Sequence, residues 1–176
     1  PNMDLQAIII GLALIAPLVA LALYIQKKHR QELAKQTHAF QEVAARHELV
    51  LTEQDIWEPG YAIGLDTRNM KLLYTQELGA QHLDKVLDLG SVKNCSVNNI
   101  SRDVNGGRVI EHLELHFAFH NNTPSSVTLE FYSREKSLNL RDELKLAERW
   151  RDIVNAHLKQ QPNLAAAERK RNLSHS

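Results

Sequence analysis

Hydrophobic and polar positions divide the chain into three regimes. From Ala7 to Ile25, 19 consecutive positions carry no charged or amide side chain. A helix of that length spans roughly 28 Å, close to the hydrocarbon thickness of a bilayer, and satisfies its own backbone where lipid cannot. The run predicts a transmembrane anchor over residues 1–25. Gly11, Ala13, Ala16 and Ala20 are the small residues that would let it pack closely on other helices; Pro17 would kink it, and Tyr24 suits the membrane interface. A cleaved signal peptide is the rival reading, since Ala20-Leu21-Ala22 has a small-x-small form. A signal peptide, however, carries its positive charge before the apolar run, and here Lys27, Lys28, His29 and Arg30 follow it. A buried core helix, the third reading, needs a surface that covers it all round.

The second regime, 26–48, has no Gly or Pro and is rich in Gln, Glu, Lys, Arg and Ala, which predicts a helical stalk continuing from the anchor. Its least polar face is the thin stripe Leu33, Thr37, Phe40, Ala44. The stripe either packs on the chain's own domain or docks a partner, with Phe40 and Val43 as candidate partner contacts.

In the third regime, 49–160, the period changes to two. Glu58-Pro59-Gly60 predicts a turn, and Tyr61–Asp66 and Met70–Gln76 predict strands around the tip Asp66-Thr67-Arg68-Asn69. Strands follow over His82–Leu89, Val92–Ile100 and Asn99–Val104. Asn105-Gly106-Gly107 predicts a hairpin, because Asn and Gly accept positive φ. Val109–His120 alternates most strictly, with Leu113, Leu115, Phe117 and Phe119 toward a core. Ser126–Ser133 follows the turn 121–126. Helical spacing then returns in Leu140, Leu144, Ala147, Trp150, Val154 and Leu158, with Asn139 as cap and Pro162 as terminator. Residues 161–176 read as a flexible tail. The predicted fold is α+β: an antiparallel sheet or partly open barrel of about six or seven strands, capped by a C-terminal amphipathic helix.

Composition narrows the function. Lys plus Arg equal Asp plus Glu at 21 each, without the clustered positive charge that nucleic acid requires. The single cysteine, Cys95, excludes an internal disulfide and fits a reducing compartment. With the basic flank kept on the cytoplasmic side, the N-terminus lies outside and the β domain inside.

The sequence contains no catalytic constellation. His112, His116 and His120 have a four-residue spacing, but on a strand neighbouring members stand roughly 13 Å apart, too far to share one metal. Cys95 falls at an inward strand position with no neighbour to activate it. No nucleophile elbow, Walker motif or dinucleotide glycine motif occurs. Neither a metal nor a cofactor is expected, and the reading is non-enzymatic.

The order of elements from Tyr61 to Leu158, closed by the Trp150-bearing helix, resembles the pleckstrin-homology-like (PH-like) fold found in bacterial membrane-associated proteins. A plain twisted sheet under the helix is the alternative. The resemblance implies a single-pass protein of the bacterial inner membrane. In lipid-binding members, basic residues around the first hairpin hold a headgroup. The matching positions here are Arg68 and Lys71, without the denser basic pattern of those members. Lys27, Lys28 and Arg30 would meet anionic lipid just below the membrane, at about 1 kcal/mol each. The expected function is a non-catalytic, membrane-anchored interaction module with a protein partner, including the case of an accessory subunit of a larger membrane complex. A lipid or small-ligand binding domain is the alternative.

Overall fold

The computed structural model describes the backbone of residues 5–78, 81–120, 125–137 and 140–173, and the side chains of 15–77, 82–120, 125–137 and 140–160. Two compact units result, Pro1–Val43 and Ala44–Ser176.

Helix α1 runs unbroken over Leu5–Arg46 and carries Pro17 within it. Among the described residues no helix is long and apolar enough to cross a membrane. The side chains of 7–14, the first part of the expected span, lie outside those residues, Gly11 and Ala13 with them. Ala16, Pro17, Ala20 and Tyr24 are exposed. Farther along, Phe40 and Val43 are only 4% and 6% exposed. With Ala44 they form one buried helix face.

The helix ends in a Schellman motif. The Leu49 N–H bonds the Ala44 carbonyl at 2.9 Å and the Glu48 N–H bonds Ala45 at 3.0 Å. Glu48 takes the left-handed conformation, φ 58°, where glycine is usual.

The β domain holds two antiparallel sheets. Strands β1 (Glu53–Trp57), β2 (Tyr61–Asp66), β3 (Lys71–Leu78) and β4 (Gln81–Asp88) form the first, in chain order. A short 3₁₀ turn, Leu89–Ser91, leads to β5 (Val92–Val104), β6 (Gly107–Phe119) and β7 (Ser126–Ser133), which form the second. The β6 positions expected to face a core are buried, Leu113, Leu115 and Phe117 with no exposure and Phe119 with 8%, and Ile63, Leu65, Leu72, Leu129 and Phe131 are fully buried with them. At Asn105-Gly106 both residues have positive φ, 49° and 80°, as a two-residue hairpin with the right twist requires. At Gly60 (φ 149°) a Cβ would stand 1.9 Å from the Glu77 carbonyl oxygen, so only glycine fits there.

Three elements depart from the sequence reading. Strand β1 was not foreseen, because EQDIW lacks apolar alternation. The two segments expected over 92–104 form one strand, whose register shifts between Ile100 and Ser101. Helix α2 spans Glu143–Leu173 and continues past Pro162. A proline removes one backbone donor and strains one turn, and the helix-forming residues after it carry the helix on. Asn139, the expected cap, lies outside the described residues. The first helical bond runs from the Leu146 N–H to the Asp142 carbonyl.

Candidate functional site

The two sheets are not closed into one barrel by a backbone ladder. The free edge of β7 instead receives side-chain donors from all four strands of the first sheet. Trp57 Nε1 of β1 donates to the Phe131 carbonyl at 2.9 Å. Tyr61 Oη of β2 donates to Glu130 Oε1 at 2.5 Å. From β3, Tyr74 Oη donates to the Glu130 carbonyl at 2.6 Å. Lys85 Nζ of β4 reaches the Thr128 carbonyl at 3.2 Å. The β6–β7 register explains the geometry: Tyr132 pairs with Leu113 and Glu130 with Glu114, so Phe131 is an extra residue. Such a bulge re-aims the backbone, and here the Phe131 carbonyl meets Trp57. The Trp57 ring also packs on Tyr61 and Phe131, with centroids 5.4 and 4.6 Å away.

Glu130 is the polar centre of this seam. Its Oε1 also accepts from Gln76 at 3.1 Å and pairs with Lys136 at 2.6 Å. Burial pushes its carboxyl up, but the bonds from Lys136 and Tyr61 outweigh that and hold it below its ordinary value. Burial, then the bond to Glu130, raise the Tyr61 phenol well above its usual value; burial does the same for Tyr74. The carboxylate is thus kept ionised and the phenols protonated. The cluster joins sheets and is poorly suited to proton transfer near neutral pH.

Helix α2 fastens the other side. Trp150, fully buried, donates from Nε1 to Asp55 Oδ2 of β1 at 2.8 Å, and Arg149 pairs with the same carboxylate. On β5, the Asn155 amide grips the strand edge at Cys95. Its Oδ1 accepts the Cys95 N–H at 3.0 Å and its Nδ2 donates to the Cys95 carbonyl at 2.8 Å. Burial pushes the buried Cys95 thiol up to about 12, against a smaller opposing pull from Arg151. A thiol in that state is not a nucleophile at neutral pH.

At the β2–β3 tip, Arg68 and Lys71 are exposed. At the end of β2, Asp66 is fully buried and accepts from the Val50 N–H at 3.0 Å, the Asn69 N–H at 2.9 Å and Asn69 Nδ2 at 2.8 Å. Burial pushes this carboxyl up, yet the backbone bonds from Asn69 and Val50 bring it below its ordinary value. The Asn69 backbone and side-chain donors of the tip thus point at the protein's own carboxylate.

Lys27, Lys28 and Arg30 are exposed on α1. His112 and His116 lie on β6, with His120 just beyond its end. Among the described residues no group of three or more His, Cys, Asp or Glu is placed to hold a metal. His82 Nε2 stands 2.9 Å from Asp84 Oδ1, and His47 Nε2 4.0 Å from Asp84 Oδ2, a cluster without a sequence signature. The pairings of Glu130, Asp55 and Asn155 were likewise missed. Apart from Lys136, six positions from Glu130, their partners lie 54 to 95 positions away, where no local pattern reaches. No family model, curated protein or solved structure matches the chain.

Proposed function

We propose that this chain is a non-catalytic interaction module, held by a single transmembrane helix at the cytoplasmic face of a bacterial inner membrane. Its β domain is PH-like in this reading, and it serves as an accessory subunit of a larger membrane complex. The observation that carries the proposal is the uncharged run 7–25 within one continuous helix, Leu5–Arg46, with Lys27, Lys28 and Arg30 directly after it. A membrane span followed by a cytoplasmic basic flank has this form. Four plus three antiparallel strands followed by a long helix support the PH-like reading. The states of Cys95, Tyr61 and Glu130 support a non-catalytic role, because each is shifted away from reactivity at neutral pH.

The test uses the full chain in a mild detergent. A membrane protein co-purifying in fixed stoichiometry, with alkaline carbonate failing to extract the chain from membranes, is the expected result. Extraction by carbonate defeats the anchor, and a lone monomer or homo-oligomer defeats the accessory-subunit role.

A further inference from the structure

An open groove of about 550 Å³ lies between the start of β5 and the described part of α2. Its shape follows from a second bulge. Val92 pairs with Phe119 and Asn94 with Ala118, so Lys93 is an extra residue in β5. Val92 and Cys95 are both buried although three apart, and the two residues between them, Lys93 and Asn94, both turn outward. An unbulged strand would alternate them.

The groove wall facing Lys93 and Asn94 carries Leu158 and Lys159 of α2, and His120 stands at the end of β6. No carboxylate lines it among the described residues. The neighbouring acid on α2, Asp152, is bonded to Arg151 at 2.8 Å. Two lysines, an imidazole and an amide thus line one groove together with the apolar Val92 and Leu158. The Asn155 clamp on Cys95 fixes helix against strand, so the spacing of these groups is set by the fold.

We propose that the groove between β5 and α2 binds a phosphate-bearing ligand, with Lys93 and Lys159 on the phosphate, His120 and Asn94 as further donors, and Val92 and Leu158 against its organic part. Lysine meets phosphate as a point charge and tolerates varied approach, which suits an open groove. Such a phosphate belongs either to a soluble organic phosphate or to a lipid headgroup. The site is separate from the Arg68–Lys71 tip and stands whether or not the anchor has a protein partner.

The experiment is a titration of the isotope-labelled full chain in phosphatidylcholine nanodiscs, followed by NMR at Lys93, Asn94 and His120. The soluble probe is inorganic phosphate, with sodium chloride at equal ionic strength as control. In the lipid arm the discs are phosphatidylglycerol instead. Saturable shifts with phosphate, weakened about tenfold or more in Lys93→Gln/Lys159→Gln and unchanged in Lys145→Gln, are expected for a soluble ligand. The same shifts in phosphatidylglycerol discs without phosphate, lost in the double variant, assign the headgroup. Shifts that chloride reproduces, that the double variant keeps, or that occur in neither arm overturn the proposal. All three substitutions fall at exposed positions, and Lys159→Gln alone provides a milder variant.

Discussion

The two edge strands of the second sheet are finished in different ways. Strand β7 is met by five donors, drawn from all four strands of the first sheet and spread over Thr128, Glu130 and Phe131. Strand β5 is met by one amide, Asn155, at one residue. The first arrangement is redundant: each donor carries a fraction of the seam, and the others hold the register if one is lost. The second is concentrated, since both polar groups of Cys95 depend on one side chain from a helix. A bare strand edge invites pairing with another chain, and the two devices blunt it to different degrees. They also leave different space behind. Rings fill the β7 seam around Trp57, Tyr61 and Phe131, and a groove of about 430 Å³ opens at its Lys85–Thr128 end; the single clamp on β5 leaves the larger groove around Lys93 and Lys159.

That contrast can be broken most forcefully at Trp150. Trp150→Ala should destabilise the β domain by about 3–5 kcal/mol, because a fully buried indole leaves a cavity and Asp55 loses a donor. Denaturant unfolding of the full chain, followed by circular dichroism, measures it. Asn155→Leu should cost about 2 kcal/mol by leaving the Cys95 N–H and carbonyl without partners, and hydrogen exchange at the Cys95 amide should accelerate. On the redundant seam the single losses should be smaller. Tyr74→Phe and Trp57→Phe should each cost about 1 kcal/mol. A loss at Tyr74→Phe larger than at Asn155→Leu would remove the distinction between the two edges.

Acidity sharpens the same comparison, since Glu130 lies on the β7 seam and the Asn155–Cys95 clamp on β5 contains no carboxylate. The folded Glu130 carboxyl sits below its ordinary value, so its contribution is present above the unfolded value, about 4.3, and fades as pH falls through the folded one. Asp66, also depressed, acts in the same direction. Glu130→Gln should therefore flatten the acid limb of a stability–pH curve without abolishing it, whereas Asn155→Leu should shift the whole curve without changing its slope. The smallest effect lies outside both edges. Glu48→Gly should stabilise the end of α1 by roughly 0.5–1 kcal/mol, because glycine holds φ 58° without strain. Thermal denaturation detects that gain.

Much of this fold was legible along the chain. The period-two alternation of Leu113, Leu115, Phe117 and Phe119 marked the inward face of β6, and Asn105-Gly106 marked its hairpin, because both signals act between near neighbours. Strand β1 was not legible. Its Asp55 is a polar residue at home in a sheet only because Arg149 and Trp150 meet it from α2. The candidate site was legible only in its residue types. Lys93 and Lys159 are ordinary lysines in the sequence, 66 positions apart, and the fold gives them a common groove.

Local spacing thus determined the α+β class, the uncharged N-terminal run with its basic flank, the hairpin turns and most core positions. These depend on side-chain direction along a helix or strand and on the conformational freedom of single residues. Tertiary structure alone decided that Phe40 and Val43 are buried, that a bulge turns Phe131 toward Trp57 and another turns Lys93 outward, and that Asn155 closes an edge 60 positions away. These outcomes depend on which surfaces and unpaired backbone groups find partners once the sheets and α2 pack. A buried polar group must be satisfied by whatever the fold brings near it, however distant in the chain.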